Sequence, residues 1–216
     1  VSGGLNLSGM APLPWPTLLI FAALAGLSVL TVTVAIFKLA QFHRMGLGRD
    51  RQAEAILNDW LSGRPDAAQS AAAADPSVLA RVLAAVMSGL RARPEQPFYG
   101  EELARQAALI ELTRMGSRMR LLEAVVQMAP MLGLLGTVVG MIDAFGNLAA
   151  SQAAADPRLL ASGIWTALTT TAAGLAIALV AYFVAAWLEG RIDDERQTIE
   201  MVISAAIHGR VDQTRG

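Results

Sequence analysis

Three stretches of this chain run without a charged side chain for long enough to cross a lipid bilayer, and that property leaves few folds open. The first reaches from the N-terminus to Phe37, just before Lys38. The second, Ala124 to Ile142, is nineteen residues long between Glu123 and Asp143. At about 1.5 Å per residue a helix of that length just covers a hydrocarbon core of ~30 Å. The third, Leu159 to Leu188, lies between Arg158 and Glu189 and is longer than needed, so its ends project beyond the lipid or the helix tilts. Pro12, Pro14 and Pro16 push the start of the first span to about Trp15. Composition agrees: 54% of the 216 residues are hydrophobic, 16% are charged, and mean hydropathy is +0.46. A soluble domain has about 25% charged residues.

The basic residues set an expected orientation. Every Lys and Arg except Arg158 lies between Lys38 and Arg120 or after Glu189. By the positive-inside rule, those two regions face the cytoplasm. The expected layout is a periplasmic segment (1–14), transmembrane helix 1 (15–39), a cytoplasmic helical domain (40–122), transmembrane helix 2 (123–146), a short periplasmic loop (147–158), transmembrane helix 3 (159–188), and a cytoplasmic C-terminal helix and tail (189–216). A signal peptide needs basic residues before its apolar core, and here they follow it, so the first span reads as an anchor. The fold class is all-α.

Within the cytoplasmic part, "DRQAEAILNDWLSG" has helical apolar spacing and stops at Gly63, before Pro65. "DPSVLARVLAAVMSGLRA" opens with Asp75 or Ser77 as a cap beside Pro76. No proline interrupts Gly100 to Ala129, which predicts one helix rising straight into the second span. The third span continues through "EGRIDDERQTIEMVISAAI" to about Ile207.

A net charge of −1 gives no reason to expect nucleic acid as a partner, and there is no cysteine. His43 and His208 are too few and too far apart in sequence to suggest a metal site. Neither a P-loop nor HExxH is present, and no Ser/His or paired-Asp set falls at membrane depth. These features point away from an enzyme, a metal and a cofactor.

The unusual chemistry lies in the second and third spans. "MAPMLGLLGTVVGMIDAF", Met128 to Phe145, puts a proline, three glycines and a threonine where plain apolar residues would suffice. Gly133, Gly136, Thr137 and Gly140 share a face, with a GxxxG at Gly136 and Gly140. The third span answers with Ala167, Thr170, Thr171, Gly174, Ala178, Ala181 and Ala185 at three- and four-residue spacing. Small residues let helix backbones approach closely. Two such faces pack on each other, or several copies line a narrow axis. "WTALTTTAAGL" adds Thr166, Thr169, Thr170 and Thr171, with Thr171 turned toward Gly174. A membrane threonine commonly bonds its own i−4 carbonyl, whereas a cluster also hydrates a proton path or holds a partner's carboxyl group. No ionisable residue lies inside the charge-free windows; Glu123 and Asp143 stand at the two ends of the second as interfacial charges. A titrating group for proton conduction would then come mainly from another subunit. Arg114, Arg118 and Arg120, just before the second span, read as a contact for anionic lipid or a partner's tail, or as ordinary positive-inside charge.

"APMLGLLGTVVGMIDAF" and "GIWTALTTTAAGLAIALVAYFVAAWLEGRID", with the short loop between them, resemble the MotA/TolQ/ExbB proton-channel family, most closely its ExbB/TolQ branch. That resemblance is specific over residues 128–192 and extends to the whole chain as topology. It implies a homopentamer in the bacterial inner membrane, surrounding two helices of an ExbD/TolR-type partner whose intramembrane Asp takes and releases protons. The work done would pass to a TonB- or TolA-like protein. By position, Thr137 and Thr171 match the family's two pore threonines. Thr166 stands where many ExbB and TolQ sequences have Glu, which puts any step needing a second fixed carboxylate in question. "GIW" is also similar to the flagellar stator branch, whose members usually have four spans. The other reading open to the sequence is a structural membrane scaffold whose small residues serve assembly alone.

Overall fold

A computed structural model describes residues 15–46, 50–150 and 157–209. The expected segment 1–14 and residues 151–156 of the expected outer loop fall outside the described residues. Among the described residues seven helices follow in order: α1 (Trp15–Met45), α2 (Asp50–Leu61), α3 (Pro65–Ala74), α4 (Val78–Ala92), α5 (Pro97–Gly116), α6 (Met119–Ala150) and α7 (Pro157–His208). Among the described residues three helical stretches are long and apolar enough to cross a membrane, so this is a multi-pass membrane protein. The chain divides into two units. One joins the part of α1 up to Val34 to Arg120–Ala185; the other joins Ala35–Met119 to the chain from Ala186 onward.

The apolar unit is built from α1 up to Val34, α6 from Arg120 and α7 up to Ala185. Its core holds Ile20 and Leu24 of α1, Val125 and Ala129 of α6, and Ala178 and Ala181 of α7. Large side chains point the other way: Met131, Leu134, Trp165, Leu168 and Leu179 are all more than half exposed. Small residues inside and large ones outside is the pattern expected where lipid is the solvent, because apolar bulk gains little by hiding from lipid. α6 runs through Pro130 without a break.

In the second unit, soluble-protein rules return. α2 ends before Gly63, whose φ of +72° suits glycine. α4 starts at a cap made by both candidate residues: Ser77 Oγ accepts from the Ala80 N–H at 3.2 Å, and Asp75 Oδ1 accepts from the Ser77 N–H at 2.9 Å. Val78, Leu79, Val82, Leu83, Val86 and Met87 of α4 are buried. α3, which includes the alanine run at Ala71 to Ala74, begins with Pro65 in its first turn and buries Ala68 and Ala72. Trp60 Nε1 donates to the Ala206 carbonyl at 3.1 Å, tying α2 to the end of α7.

The single helix expected from Gly100 into the second span is not what forms. α5 stops at Gly116 and α6 starts at Met119, with Arg118 in the left-handed region at φ 66°. Proline is not needed to break a helix when side chains take over its last carbonyls. Here Ser117 Oγ donates to the Arg114 carbonyl at 2.7 Å, and Gln41 Nε2 donates to the same oxygen at 3.0 Å. The ammonium of Lys38, fully buried, donates to the Met115 carbonyl. A cation at a helix C-terminus is favoured by the helix dipole as well. The Arg118 guanidinium lies 3.9 Å from the centre of the Phe37 ring. No residue pattern local to 100–129 announces this joint, because half of it is supplied by α1.

Candidate functional site

Within the apolar unit, α6 and α7 meet along a seam whose close approach depends on glycine. A methyl group on Gly163 would stand 2.6 Å from Ala144 Cβ, one on Gly140 2.8 Å from Ala167 Cβ, and one on Gly133 3.0 Å from the Thr170 carbonyl oxygen. At Gly136 it would strike the Thr170 hydroxyl, and at Gly174 the Ala129 carbonyl oxygen. As the α6 partner falls from 144 to 129, the α7 partner rises from 163 to 174, so the two helices run antiparallel.

The hydroxyls divide according to their place on this seam. Thr170 is fully buried in it; its Oγ1 donates to the Ala167 carbonyl at 2.6 Å, with the Gly133 carbonyl at 3.3 Å as a second acceptor. Thr171 reaches across instead, donating to the Gly133 carbonyl at 2.8 Å. It shares a side of α7 with Gly174, and both meet Gly133. The remaining three bond within their own helix: Thr137 to the Leu134 carbonyl at 2.7 Å, Thr166 to Ser162 at 3.0 Å and Thr169 to Trp165 at 2.8 Å.

Helical register then sorts the candidates by edge. Successive residues step about 100° around a helix. Thr137 follows the contact residue Gly136, and Thr171 follows the contact residue Thr170. In an antiparallel pair of right-handed helices, one step past the contact line leads to the same edge from both sides. Thr137 and Thr171 therefore share an edge, and each is half-buried. The opposite edge carries Leu132 and Val139 of α6 with Ala173 and Ile177 of α7, all packed on the core that contains Ile20 and Leu24 of α1. α1 thus covers one edge, and the two threonines lie along the other. Thr166 and Asp143 fall by register on the α1 side. Asp143 is half-buried, and its Oδ2 is enclosed with no hydrogen-bond partner among the described residues.

The other charged candidates serve separate contacts. Glu123 and Arg120 are exposed on the first turns of α6. Arg114 pairs with Glu111 at 3.2 Å, and Arg118 stacks on Phe37. Glu111, only 5% exposed, also accepts two bonds from Arg81, at 3.0 and 2.9 Å. Neither Glu111 nor Lys38 stood out in the sequence, since each looks like one more solvated charge until the fold encloses it. No group of His, Cys, Asp and Glu capable of holding a metal ion occurs among the described residues. The seam can hold carbonyl and hydroxyl groups in line at membrane depth, but it carries no acid or base of its own.

Comparison with known proteins bears on that arrangement. A sequence profile described as the MotA/TolQ/ExbB proton channel family matches residues 74–201. An ExbB homolog of Methanothermobacter thermautotrophicus is 37% identical over 102 residues, covering 47% of this chain and 36% of that protein. The ExbB-like protein 1 of Synechocystis is 34% identical over 161 residues, covering 73% of this chain and 62% of that protein. The biopolymer transport protein exbB1 of Vibrio cholerae is 48% identical over 65 residues, covering 30% and 28%. The chain thus spans less than two-thirds of the length of each of these three relatives.

Proposed function

Because the chain belongs to the MotA/TolQ/ExbB proton channel family, we propose that it is an ExbB-like subunit of a proton-driven motor in the inner membrane. It works as a homopentamer, with its basic regions in the cytoplasm, around an ExbD/TolR-type single-span partner. That partner supplies the intramembrane Asp, and a TonB- or TolA-like protein carries the work to the outer membrane. The observation that supports this reading best is the edge shared by Thr137 and Thr171. It is the side of the α6–α7 seam that α1 leaves uncovered, and within the charge-free windows it lacks any ionisable group that would trap a proton. A partner carboxyl passing it would meet hydroxyls that both accept and donate. Gly133, Gly136, Gly140 and Gly174 hold the wall rigid behind them.

ExbB-type nutrient import is favoured over TolQ-type envelope maintenance by the names of the relatives. The second reading, a scaffold without an ion pathway, draws on Thr170: a hydroxyl fully buried and bonded inside one chain does packing work only. Native mass spectrometry of the complex from its own membranes separates the two. Five copies with two of a small protein bearing an intramembrane Asp are expected for the motor. An oligomer that reproducibly lacks such a partner would sink it.

A further inference from the structure

At the joint between α1 and α5 lies a recess of about 810 Å³, lined in part by Phe37, Gln41, Arg44, Arg81, Glu111 and Arg114. That volume is within the range of small-ligand sites. We propose that it is a binding site for the headgroup of an anionic glycerophospholipid, of the phosphatidylglycerol type. Three guanidinium groups face it against one carboxylate. Arg81 is held by Glu111 and by the Pro76 carbonyl, while Arg114 gives Glu111 a single bond and keeps its other donors. The Arg44 guanidinium has no hydrogen bond or ion pair among the described residues, and the residue is exposed. Such an array binds a phosphodiester, which accepts from guanidinium forks.

Two further observations select a lipid whose headgroup carries a hydrogen-bond donor. Gln41 donates Nε2 to the Arg114 carbonyl, which fixes its amide orientation; its Oε1 is then enclosed with no donor among the described residues. A glycerol hydroxyl supplies that donor, and a choline headgroup has none to give. Depth is the second. The recess begins at Phe37, where the charge-free run of α1 ends, and continues through the next two turns. This is the headgroup level of the bilayer face that carries the basic residues. Phe37 offers an apolar wall on the bilayer side. Of the arginines flanking the second span, only Arg114 belongs to this site: Arg118 is committed to Phe37, and Arg120 lies on α6.

The test is native mass spectrometry of the purified full-length complex in mild detergent, supplied with equal phosphatidylglycerol and phosphatidylcholine. Wild type is expected to retain phosphatidylglycerol selectively. The double variant Arg44→Gln/Arg114→Gln should lower its retention by roughly twenty-five-fold, from about fivefold for each neutralised arginine. Arg91→Gln/Arg196→Gln, which removes two exposed arginines elsewhere, should retain it. Equal retention of both lipids, or the same loss in both double variants, overturns the site. Displacement by inorganic phosphate overturns the lipid assignment in favour of a soluble anion. A complex that falls apart only in Arg44→Gln/Arg114→Gln means the recess is a contact between subunits, which also overturns it.

Discussion

The two units of this protein bury polar groups by opposite means. In the apolar unit, glycine removes bulk so that backbone carbonyls become reachable, and threonine hydroxyls fill the gap; along the α6–α7 seam the threonines bond to neutral carbonyls. In the other unit, bulky aliphatic residues form the core, and beside the neutral cap Ser77 the polar groups inside include charges: Glu111 held by Arg81 and Arg114, Lys38 held by a helix terminus. The difference follows from the surroundings. A charge at membrane depth is costly on any face that lipid can reach, whereas a hydroxyl satisfied by a carbonyl is cheap there. Near water, a charge can be enclosed on one side and still be partly screened on the other. A seam of neutral groups is also what a passing carboxyl requires if the proton is not to be captured on the way.

Substitutions sharpen that contrast, beginning with the largest effect. Gly174→Val places its branch against the Ala129 carbonyl oxygen, a backbone atom that cannot rotate away. It should cost about 3 kcal/mol, the upper part of the overpacking range, read as a fall in thermal stability of the detergent-solubilised protein. Gly26→Ala and Gly146→Ala, with nothing within 4 Å of the new methyl group, should be neutral or stabilising. If Gly174→Val matched those two, the tight seam would be wrong.

Glu111→Ala leaves Arg81 and Arg114 facing each other without their shared carboxylate. Because Arg81 is partly exposed, the expected loss is about 2 kcal/mol, below that for a fully buried pair. A double-mutant cycle with Arg81→Ala should show coupling; additive effects would mean the pair is solvated. Ser77→Ala removes the α4 cap and should cost about 1 kcal/mol, visible in the same melting assay. Thr171→Val, losing one interhelical hydrogen bond in lipid, should cost only about 0.6 kcal/mol of stability. A charged unit more sensitive to polar loss than the neutral one is the order these values require.

Much of this was legible in the chain. Charge-free windows announced three membrane-capable helices, and the run to Ile207 announced the length of α7, because both signals are local and repeat along the helix. Gly63, Ser77 and Asp75 marked their helix ends through turn chemistry that acts within a few residues. The α5–α6 joint was not legible, since Lys38 and Gln41 reach it from more than seventy positions away in sequence. The small-residue faces of α6 and α7 were visible as stripes, but not that they meet each other, nor that Thr137 and Thr171 share the edge α1 leaves open. Periodicity gives the face of one helix; antiparallel register between two helices decides which edges coincide.

We propose that the edge carrying Thr137 and Thr171 serves proton-coupled work rather than packing. The most direct measurement is energised uptake across the outer membrane in the native host with its own copy replaced by Thr171→Val, alongside the mass of the complex from the same cells. Uptake should be abolished while the complex keeps its wild-type composition. A Thr171→Val complex of normal composition that supports wild-type uptake would contradict the account and return the threonines to helix packing.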